Sequence, residues 1–278
     1  MKKVFGVIGD PIAHSMSPVM HEAAFEAAGF DGAYHKFHVS PERLKDAMTG
    51  IRGLGLGGVN VTIPHKVTVM DYLDEIDPLA EKIGAVNTVV NENERLIGYN
   101  TDGEGFYTGL EPLLPKPVES MRVLIIGAGG AARAVAMTLA EHGAGELYIT
   151  NRTEPKAAEL AKACRSYVDT RSLTLTLAQA RLTEFDLIIN TTSVGMSPDT
   201  DRIPISLEML GKRSVVCDLI YHPLETRFLA QSKKQGALTQ NGLSMFVNQG
   251  ALAFERWTNE RAPREAMRQR VIQELGGS

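Results

Sequence analysis

The residues best placed to do chemistry lie in two short polar segments, Asn60-Val61-Thr62-Ile63-Pro64-His65-Lys66 and Asn100-Thr101-Asp102-Gly103. Each ends an apolar run that reads as a strand. Residues 57–62 stop at Pro64, because proline removes a ladder donor and keeps the residue before it out of the helical region. Residues 95–100 end just ahead of Asp102, after which a helix begins. Residues just past strand ends in an α/β sheet point into the crevice where ligands bind. A lysine and a carboxylate there can give and retrieve a proton, as reduction of a ketone requires. Taken alone, Lys66 reads as a solvated surface lysine and Asp102 as a helix N-cap. The neighbouring motifs have to shift that reading.

The elements that must position these segments alternate strand and helix signals. In residues 1–101, strands are expected at 4–8, 34–39 and 59–62, with a hairpin formed by 86–91 and 95–99 around Glu92-Asn93-Glu94. That hairpin predicts a mixed sheet with an antiparallel edge. Ser17-Pro18 reads as an N-cap followed by proline at the first helical position, opening a helix that carries Val19, Ala23, Phe25 and Ala27 and stops at Gly29. Ser40-Pro41 opens the next helix. Leu114-Pro115-Lys116-Pro117-Val118-Glu119-Ser120 is the best linker candidate. A second α/β unit then runs to about residue 240, with strands at 122–126, 146–150, 186–190 and 215–219. Residues 243–260 have helical periodicity, with Met245, Phe246, Leu252, Ala253 and Trp257 available for burial, and a last helix follows Pro263.

Composition narrows the class. The 278 residues suit one large or two modest domains, and 44% hydrophobic with 22% charged content is far from disorder. A net charge of −4 without a basic stripe argues against a nucleic-acid partner. Cys164 and Cys217 are isolated, with no metal-ligand spacing, which fits a reducing, cytoplasmic setting and no metal. Met1-Lys2-Lys3-Val4-Phe5-Gly6-Val7-Ile8-Gly9-Asp10 reads as a first strand rather than a signal peptide, and no apolar run is long enough to span a bilayer. His14 and His65 read as hydrogen-bonded structural residues.

The run 123–134, Val-Leu-Ile-Ile-Gly-Ala-Gly-Gly-Ala-Ala-Arg-Ala, is strand, Gly-rich turn and helix in that order, with Ala132 in the third slot of G-x-G-x-x-[GA]. Gly127 allows the tight turn, and Gly129 lets backbone N–H groups reach a pyrophosphate at a helix N-terminus. The next strand ends in Asn151-Arg152-Thr153, with Lys156 close behind, where an NAD site normally places Asp or Glu. A carboxylate would repel a 2′-phosphate and a guanidinium can bind it bidentately, so the expected cofactor is NADP. Glu154 is discordant, although it falls in the first turn of a helix.

These pieces, with Gly9-Asp10-Pro11-Ile12-Ala13-His14-Ser15-Met16-Ser17-Pro18, Gly84-Ala85-Val86-Asn87-Thr88, Asn190-Thr191-Thr192-Ser193-Val194-Gly195-Met196, Asp218-Leu219-Ile220-Tyr221 and Asn241-Gly242-Leu243 through Gln249, closely resemble the shikimate dehydrogenase family over nearly the whole chain. One departure is His21-Glu22, where that family often has His-Asn. The resemblance implies an α/β protein with an N-terminal mixed-sheet substrate domain (1–101), a Rossmann-type NADP domain (102–240), C-terminal helices (241–278) that return to the first domain, and a cleft between the domains. It implies NADPH-dependent reduction of 3-dehydroshikimate in aromatic amino-acid biosynthesis. Lys66 would be the proton donor and Asp102 its partner. Ser15 and Ser17 would hold the substrate carboxylate, and Thr62, Asn87, Tyr221 and Gln249 the ring hydroxyls. Gly127, Ala128, Gly129, Gly130, Ala131, Asn151, Arg152, Thr153, Lys156, Leu219 and Gly242 would contact the cofactor. A quinate/shikimate dehydrogenase with looser cofactor choice and a non-catalytic NADP-binding regulator are the competing readings. A small-molecule substrate, no nucleic acid, no membrane, and a monomer or homodimer complete the expectation.

Overall fold

Apolar runs rich in valine and isoleucine, punctuated by glycine, proline and polar turns, become the strands of two separate six-stranded sheets. The computed structural model describes residues 2–276. Contacts divide them into one unit ending at Gly105 and resuming at Val247, and a second unit, Phe106–Phe246.

The first unit begins β1 (Lys3–Gly9), α1 (Ser17–Ala28), β2 (Gly32–His38), α2 (Leu44–Gly53) and β3 (Gly58–Val61). It continues with β4 (Glu75–Ile76), α3 (Pro78–Ile83), β5 (Thr88–Glu92), β6 (Arg95–Tyr99) and the start of α4 (Asp102–Leu110). The sheet order is β2-β1-β3-β5-β6-β4. β5 runs antiparallel to both of its neighbours, while β1, β2 and β3 are mutually parallel. The sheet is therefore mixed, but its antiparallel strand is interior and not at the edge. The reason is local: Asn93 and Glu94 adopt left-handed φ of 52° and 69°, which makes the tight β5–β6 hairpin, and the short β4 then pairs outside β6. Ile8, Val59, Val61, Val89 and Leu96 pack with Met48 and Ile51 of α2.

Helix α1 ends at Gly29 in the left-handed conformation, as expected, but its start differs from the sequence reading. Ser17 is the first helical residue and makes no capping bond, while Met20, His21 and Ala24 are buried with Ala23 and Phe25, and Ala27 is exposed. Glu22, the departure from the family pattern, is exposed.

The second unit continues from α4 with β7 (Arg122–Ile126), α5 (Gly130–Glu141), β8 (Glu146–Thr150), α6 (Glu154–Cys164), β9 (Asp169–Leu173) and α7 (Leu175–Ala180). β10 (Leu187–Asn190), β11 (Val215–Asp218), α8 (Arg227–Lys234), β12 (Leu238–Gln240) and the start of α9 (Leu243–Thr258) complete it. All its strands are parallel, in the order β12-β11-β10-β7-β8-β9, the doubly wound arrangement that binds dinucleotides at its switch point. The unit has β9 and β12 besides the four strands expected. The supposed linker is part of this unit: Val118 and Met121 are buried, and Val118 C=O accepts the Gly145 N–H at 3.1 Å. The divisions fall instead inside α4 and α9. The later part of α9 buries Val247, Ala251, Ala253, Phe254 and Trp257 in the first unit, and α10 (Arg264–Glu274) packs on α1. Among the described residues, no helix is long and apolar enough to cross a membrane.

Candidate active site

In the first unit, β3 and the turns after it carry Thr62 and Lys66, and the first turn of α4 carries Asp102. Lys66 Nζ donates to Asp102 Oδ2 at 2.6 Å, and the two side chains are 25% and 10% exposed. Both partners therefore reach solvent without being loose in it. The other carboxylate oxygen, Oδ1, accepts from Asn87 Nδ2 at 2.8 Å. Asp102 does not cap α4; its own N–H donates to Asn100 Oδ1 at 3.0 Å, so Asn100 takes the turn-forming role and leaves the carboxylate to Lys66 and Asn87. Lys66 is placed by its backbone as well, its carbonyl accepting the Val86 N–H at 2.7 Å.

Ser15 and Ser17 lie on the loop from β1 into α1. Ser15 Oγ accepts the Ser17 N–H at 3.3 Å, and the loop is tied to β2 by Lys36 Nζ on Ala13 C=O (2.6 Å) and His38 Nε2 with Asp10 Oδ1 (2.8 Å). Thr62 is half-buried and packs its methyl over Gly9, where a Cβ would sit 2.5 Å from it. Gln249, on α9, is half-buried beside Gly105, where a Cβ would meet the Gln249 backbone nitrogen at 2.6 Å. That close approach brings α9 against the first turn of α4, the turn that starts with Asp102. Lys66, Asp102 and Asn87 are thus in direct contact. Tyr221 belongs to the second unit, where its ring stacks on Phe246 at 4.7 Å and burial raises its phenol pKa. His65 is a buried structural histidine, its Nε2 2.6 Å from Val39 C=O.

In the second unit, β7 gives way to α5 through the glycine turn. Gly127 has φ of 121°, and a Cβ there would lie 2.2 Å from Thr191 Oγ1, so the fold itself demands glycine. Gly129 and Gly130 differ: a Cβ on either would meet nothing within 4 Å. No internal contact accounts for those two glycines, whereas a group drawn up to the α5 N-terminal N–H donors would. Ala128 lies in the same turn, and Ala131 in the first turn of α5.

A pocket of about 570 Å³ opens at the C-terminal ends of β7, β8 and β10, lined by Gly127, Asn151, Arg152, Thr192, Ser193 and Arg202 among others. It gathers Asn151 and Arg152 but not Thr153 or Lys156, which are exposed at the start of α6. Asn151 Nδ2 instead fixes the turn by donating to Thr153 C=O at 3.0 Å. Glu154 occupies the first turn of α6, where a negative charge suits the helix dipole. Leu219 follows β11, its N–H on Asn190 C=O at 3.0 Å. Gly242 is explained by packing, since a Cβ would come within 1.9 Å of Leu219 C=O.

Several residues of these sites carried no sequence signal of their own. Thr88 and Thr101 join Asn87 in a buried cluster, Thr88 Oγ1 donating to Asn87 Oδ1 at 3.0 Å and Thr101 N–H to the same oxygen at 2.8 Å. Thr192 and Ser193 stood inside a recognised motif without a role. Arg202 had no motif at all, and only the fold brings it to the pocket.

Sequence models described as a shikimate dehydrogenase substrate-binding domain, a shikimate/quinate 5-dehydrogenase and a shikimate 5′-dehydrogenase C-terminal domain match residues 7–89, 113–197 and 242–272. A shikimate dehydrogenase (NADP(+)) of Bacillus cereus is 51% identical over 277 residues, covering 100% of both chains. Among solved structures, a shikimate dehydrogenase in complex with NADP+ is 44% identical with a TM-score of 0.93, over 99% of this chain and 96% of that one. The Thermus thermophilus shikimate 5-dehydrogenase, solved with NADP(H) and shikimate, is 37% identical with a TM-score of 0.89, over 98% and 99%. Agreement this deep in sequence, over the full length and in both sheets, is that of a relative and not merely of a shared fold: the chain belongs to the shikimate dehydrogenase family.

Proposed function

We propose that the protein is a cytoplasmic enzyme that reversibly reduces 3-dehydroshikimate to shikimate with NADPH, on the route to chorismate and the aromatic amino acids. Family membership supports the reaction. The observation that carries the mechanism is the Lys66–Asp102 pair at 2.6 Å, backed by Asn87 on the other carboxylate oxygen.

The second unit fits the cofactor. Its open glycine turn at Gly129 and Gly130 can take the pyrophosphate on the α5 N-terminal N–H groups, with Ala128 and Ala131 beside them. Arg152 and Asn151 stand at the β8 strand end, where an acidic residue would repel a 2′-phosphate, in a pocket whose other charged lining residues are Arg202 and Asp199. Thr153 and Lys156, exposed at the start of α6, are further donors proposed for the cofactor. Bound NADPH supplies the hydride that the ketone carbon receives.

The first unit handles the substrate. Ser15 and Ser17 hold its carboxylate, and Thr62, Asn87 and Gln249 bond the ring hydroxyls. A site of this kind rejects analogues lacking a hydroxyl, because its own polar groups would be left unpaired. The Lys66 ammonium stabilises the negative charge as it develops on the ketone oxygen and gives that oxygen its proton, ending as the neutral amine. Asp102 holds the ammonium in position and accepts from a ring hydroxyl. In the oxidative direction the proton returns to Lys66.

The test is a spectrophotometric assay of NADPH oxidation with 3-dehydroshikimate, run in parallel with NADH and, in reverse, with quinate and shikimate. Turnover confined to 3-dehydroshikimate with NADPH and, in reverse, to shikimate with NADP+ is expected. Equal rates with quinate and NAD would give the looser quinate/shikimate reading, and binding of NADPH without turnover would leave the regulator.

A further inference from the structure

The loop that carries Ser15 is thinly held by its own backbone. Among the described residues, positions 11–16 make one backbone hydrogen bond with each other, Ser15 N–H to Ile12 C=O at 3.1 Å. Ile12 is buried, whereas Pro11, Ala13 and His14 are exposed, so one apolar side chain anchors the stretch. Its two ends are better fixed. Asp10 N–H donates to Ile63 C=O at 3.0 Å, and α1 opens with Met20 N–H on Met16 C=O at 3.2 Å.

The stretch between those ends is held from outside, by two side chains of the edge strand β2. Lys36 and His38 stand two residues apart and so leave the strand on one face. Lys36 Nζ donates to Ala13 C=O at 2.6 Å, and His38 Nε2 pairs with Asp10 Oδ1 at 2.8 Å. Both β2 residues are exposed. Contacts open to solvent contribute little to stability, because water competes for both partners. On a loop with so few bonds of its own they still decide where the chain sits. Ser15 lies two positions beyond Ala13, and its Oγ accepts the Ser17 N–H at 3.3 Å, so the position of Ala13 is passed on to the serines.

We infer that Lys36 is a positioning residue for the substrate-carboxylate loop: by holding Ala13 it sets the Ser15 hydroxyl for the substrate carboxylate. The inference rests on the proposed role of Ser15. It distinguishes Lys36 from a lysine that only adds stability and from one that attracts the substrate at a distance. A strap serves ground and transition states alike, so its loss raises KM and leaves kcat unchanged. Attraction at a distance fades as salt rises, whereas a hydrogen bond to a neutral carbonyl does not depend on it.

The experiment compares Lys36→Met, Lys36→Arg, Ser15→Ala and the double variant Lys36→Met/Ser15→Ala, by calorimetry with shikimate and by kinetics with 3-dehydroshikimate. Methionine keeps the stem without the donor, and arginine keeps a donor within reach. Lys36→Met should weaken shikimate binding and raise KM for 3-dehydroshikimate, each roughly two- to ten-fold, the worth of one hydrogen bond. The values of kcat, KM for NADPH and Tm should stay close to wild type. Lys36→Arg should recover most of the affinity. Added to Ser15→Ala, Lys36→Met should weaken binding little further, because it acts through that serine. The loss in Lys36→Met should persist at about 1 M salt, where charges are screened beyond about 3 Å. Unchanged affinity in Lys36→Met, multiplicative effects in the double variant, or a loss that vanishes in salt overturns the inference. Should Lys36→Met fail to fold, Lys36→Thr, which suits an edge strand and is too short to reach Ala13, is read in the same way. Failure of the wild-type protein to turn over 3-dehydroshikimate would strike the proposed function itself. Unaltered shikimate binding in Ser15→Ala would strike the role given to Ser15, a result distinct from a Ser15→Ala loss that Lys36→Met does not share.

Discussion

The two units each bury a carboxylate near the C-terminal end of their sheet, and they treat it in opposite ways. Asp102, 7% exposed, has an ammonium on one oxygen and an amide on the other. Asp218, 1% exposed, meets only neutral donors: Asn190 Nδ2 at 3.0 Å, the Ile220 N–H at 3.1 Å and the Thr226 hydroxyl at 2.7 Å. Burial outweighs those donors and pushes the Asp218 pKa up to about 6. Thr226 is the N-cap of α8, so Asp218 fastens the ends of β10 and β11 to the start of that helix. A buried acid with a cation can serve proton transfer, while one with neutral donors serves as a clasp. The difference lies in the partners, since both are aspartates at sheet ends.

Removing the cation is the strongest way to break this contrast. Lys66→Ala should lower kcat by roughly 10²–10⁴-fold, the usual worth of a general acid, with a much smaller change in substrate affinity. Wild-type kcat in that variant would make Asp102 as passive as Asp218. The next effect is on the cofactor, where charge acts at an exposed surface and not in an interior pair. Arg152→Ala should weaken NADPH by about 1.5–3 kcal/mol, roughly ten- to a hundred-fold, and leave KM for NADH nearly unchanged. The loss should shrink as salt rises. Parallel KM shifts for both cofactors in one buffer would remove Arg152 from 2′-phosphate recognition.

Smaller still are the serines. Ser15→Ala and Ser17→Ala should raise KM more than they lower kcat, because they hold ground and transition states alike. Calorimetry should find NADPH affinity intact, and weaker NADPH binding would contradict the assignment of the two ligands to separate units. Least of all for turnover is Asp218→Asn, which tests the clasp. The folded-state pKa of Asp218 is raised from 3.8 to about 6, so folding binds a proton in that window. The stabilisation is present below about pH 4 and lost as pH rises to about 6, on the order of 3 kcal/mol. Asparagine cannot ionise, so thermal melts of the variant should lack this decline while kcat stays close to wild type. A decline of equal size in the variant would assign the pH dependence to other groups.

What the sequence made legible was short-range. Lys66 and Asp102 stood out because each follows a strand end, and the glycine turn because strand, turn and helix are contiguous. The resemblance then supplied the serines and the ring-hydroxyl residues as a set. The interior position of β5 was hidden, because a hairpin signal states which strands pair but not which strand lies beyond them. β9 was hidden by its composition: Asp169-Thr170-Arg171-Ser172-Leu173 alternates weakly and is mostly exposed. Ser17 looked like a cap because serine before proline at a helix start commonly is one, and here it is already the first helical residue and makes no capping bond. The Tyr34–Asn60 contact joins residues 26 apart, and nothing local in either announces it. Arg202 reaches the pocket at the ends of β7, β8 and β10 from a loop after β10 for the same reason.

The packing of Trp257 has a practical consequence. It is the only tryptophan in the chain, it is 5% exposed, and its indole N–H donates to Val89 C=O at 3.0 Å while its ring stacks on Phe5 at 5.0 Å. All of these partners belong to the first unit. Intrinsic emission excited at the red edge, where tyrosine does not absorb, is therefore a private reporter of that unit. Ellipticity sums both. Recording the two signals through one melt, with NADPH and then with shikimate added, shows which half each ligand protects, and needs neither a label nor a mutation.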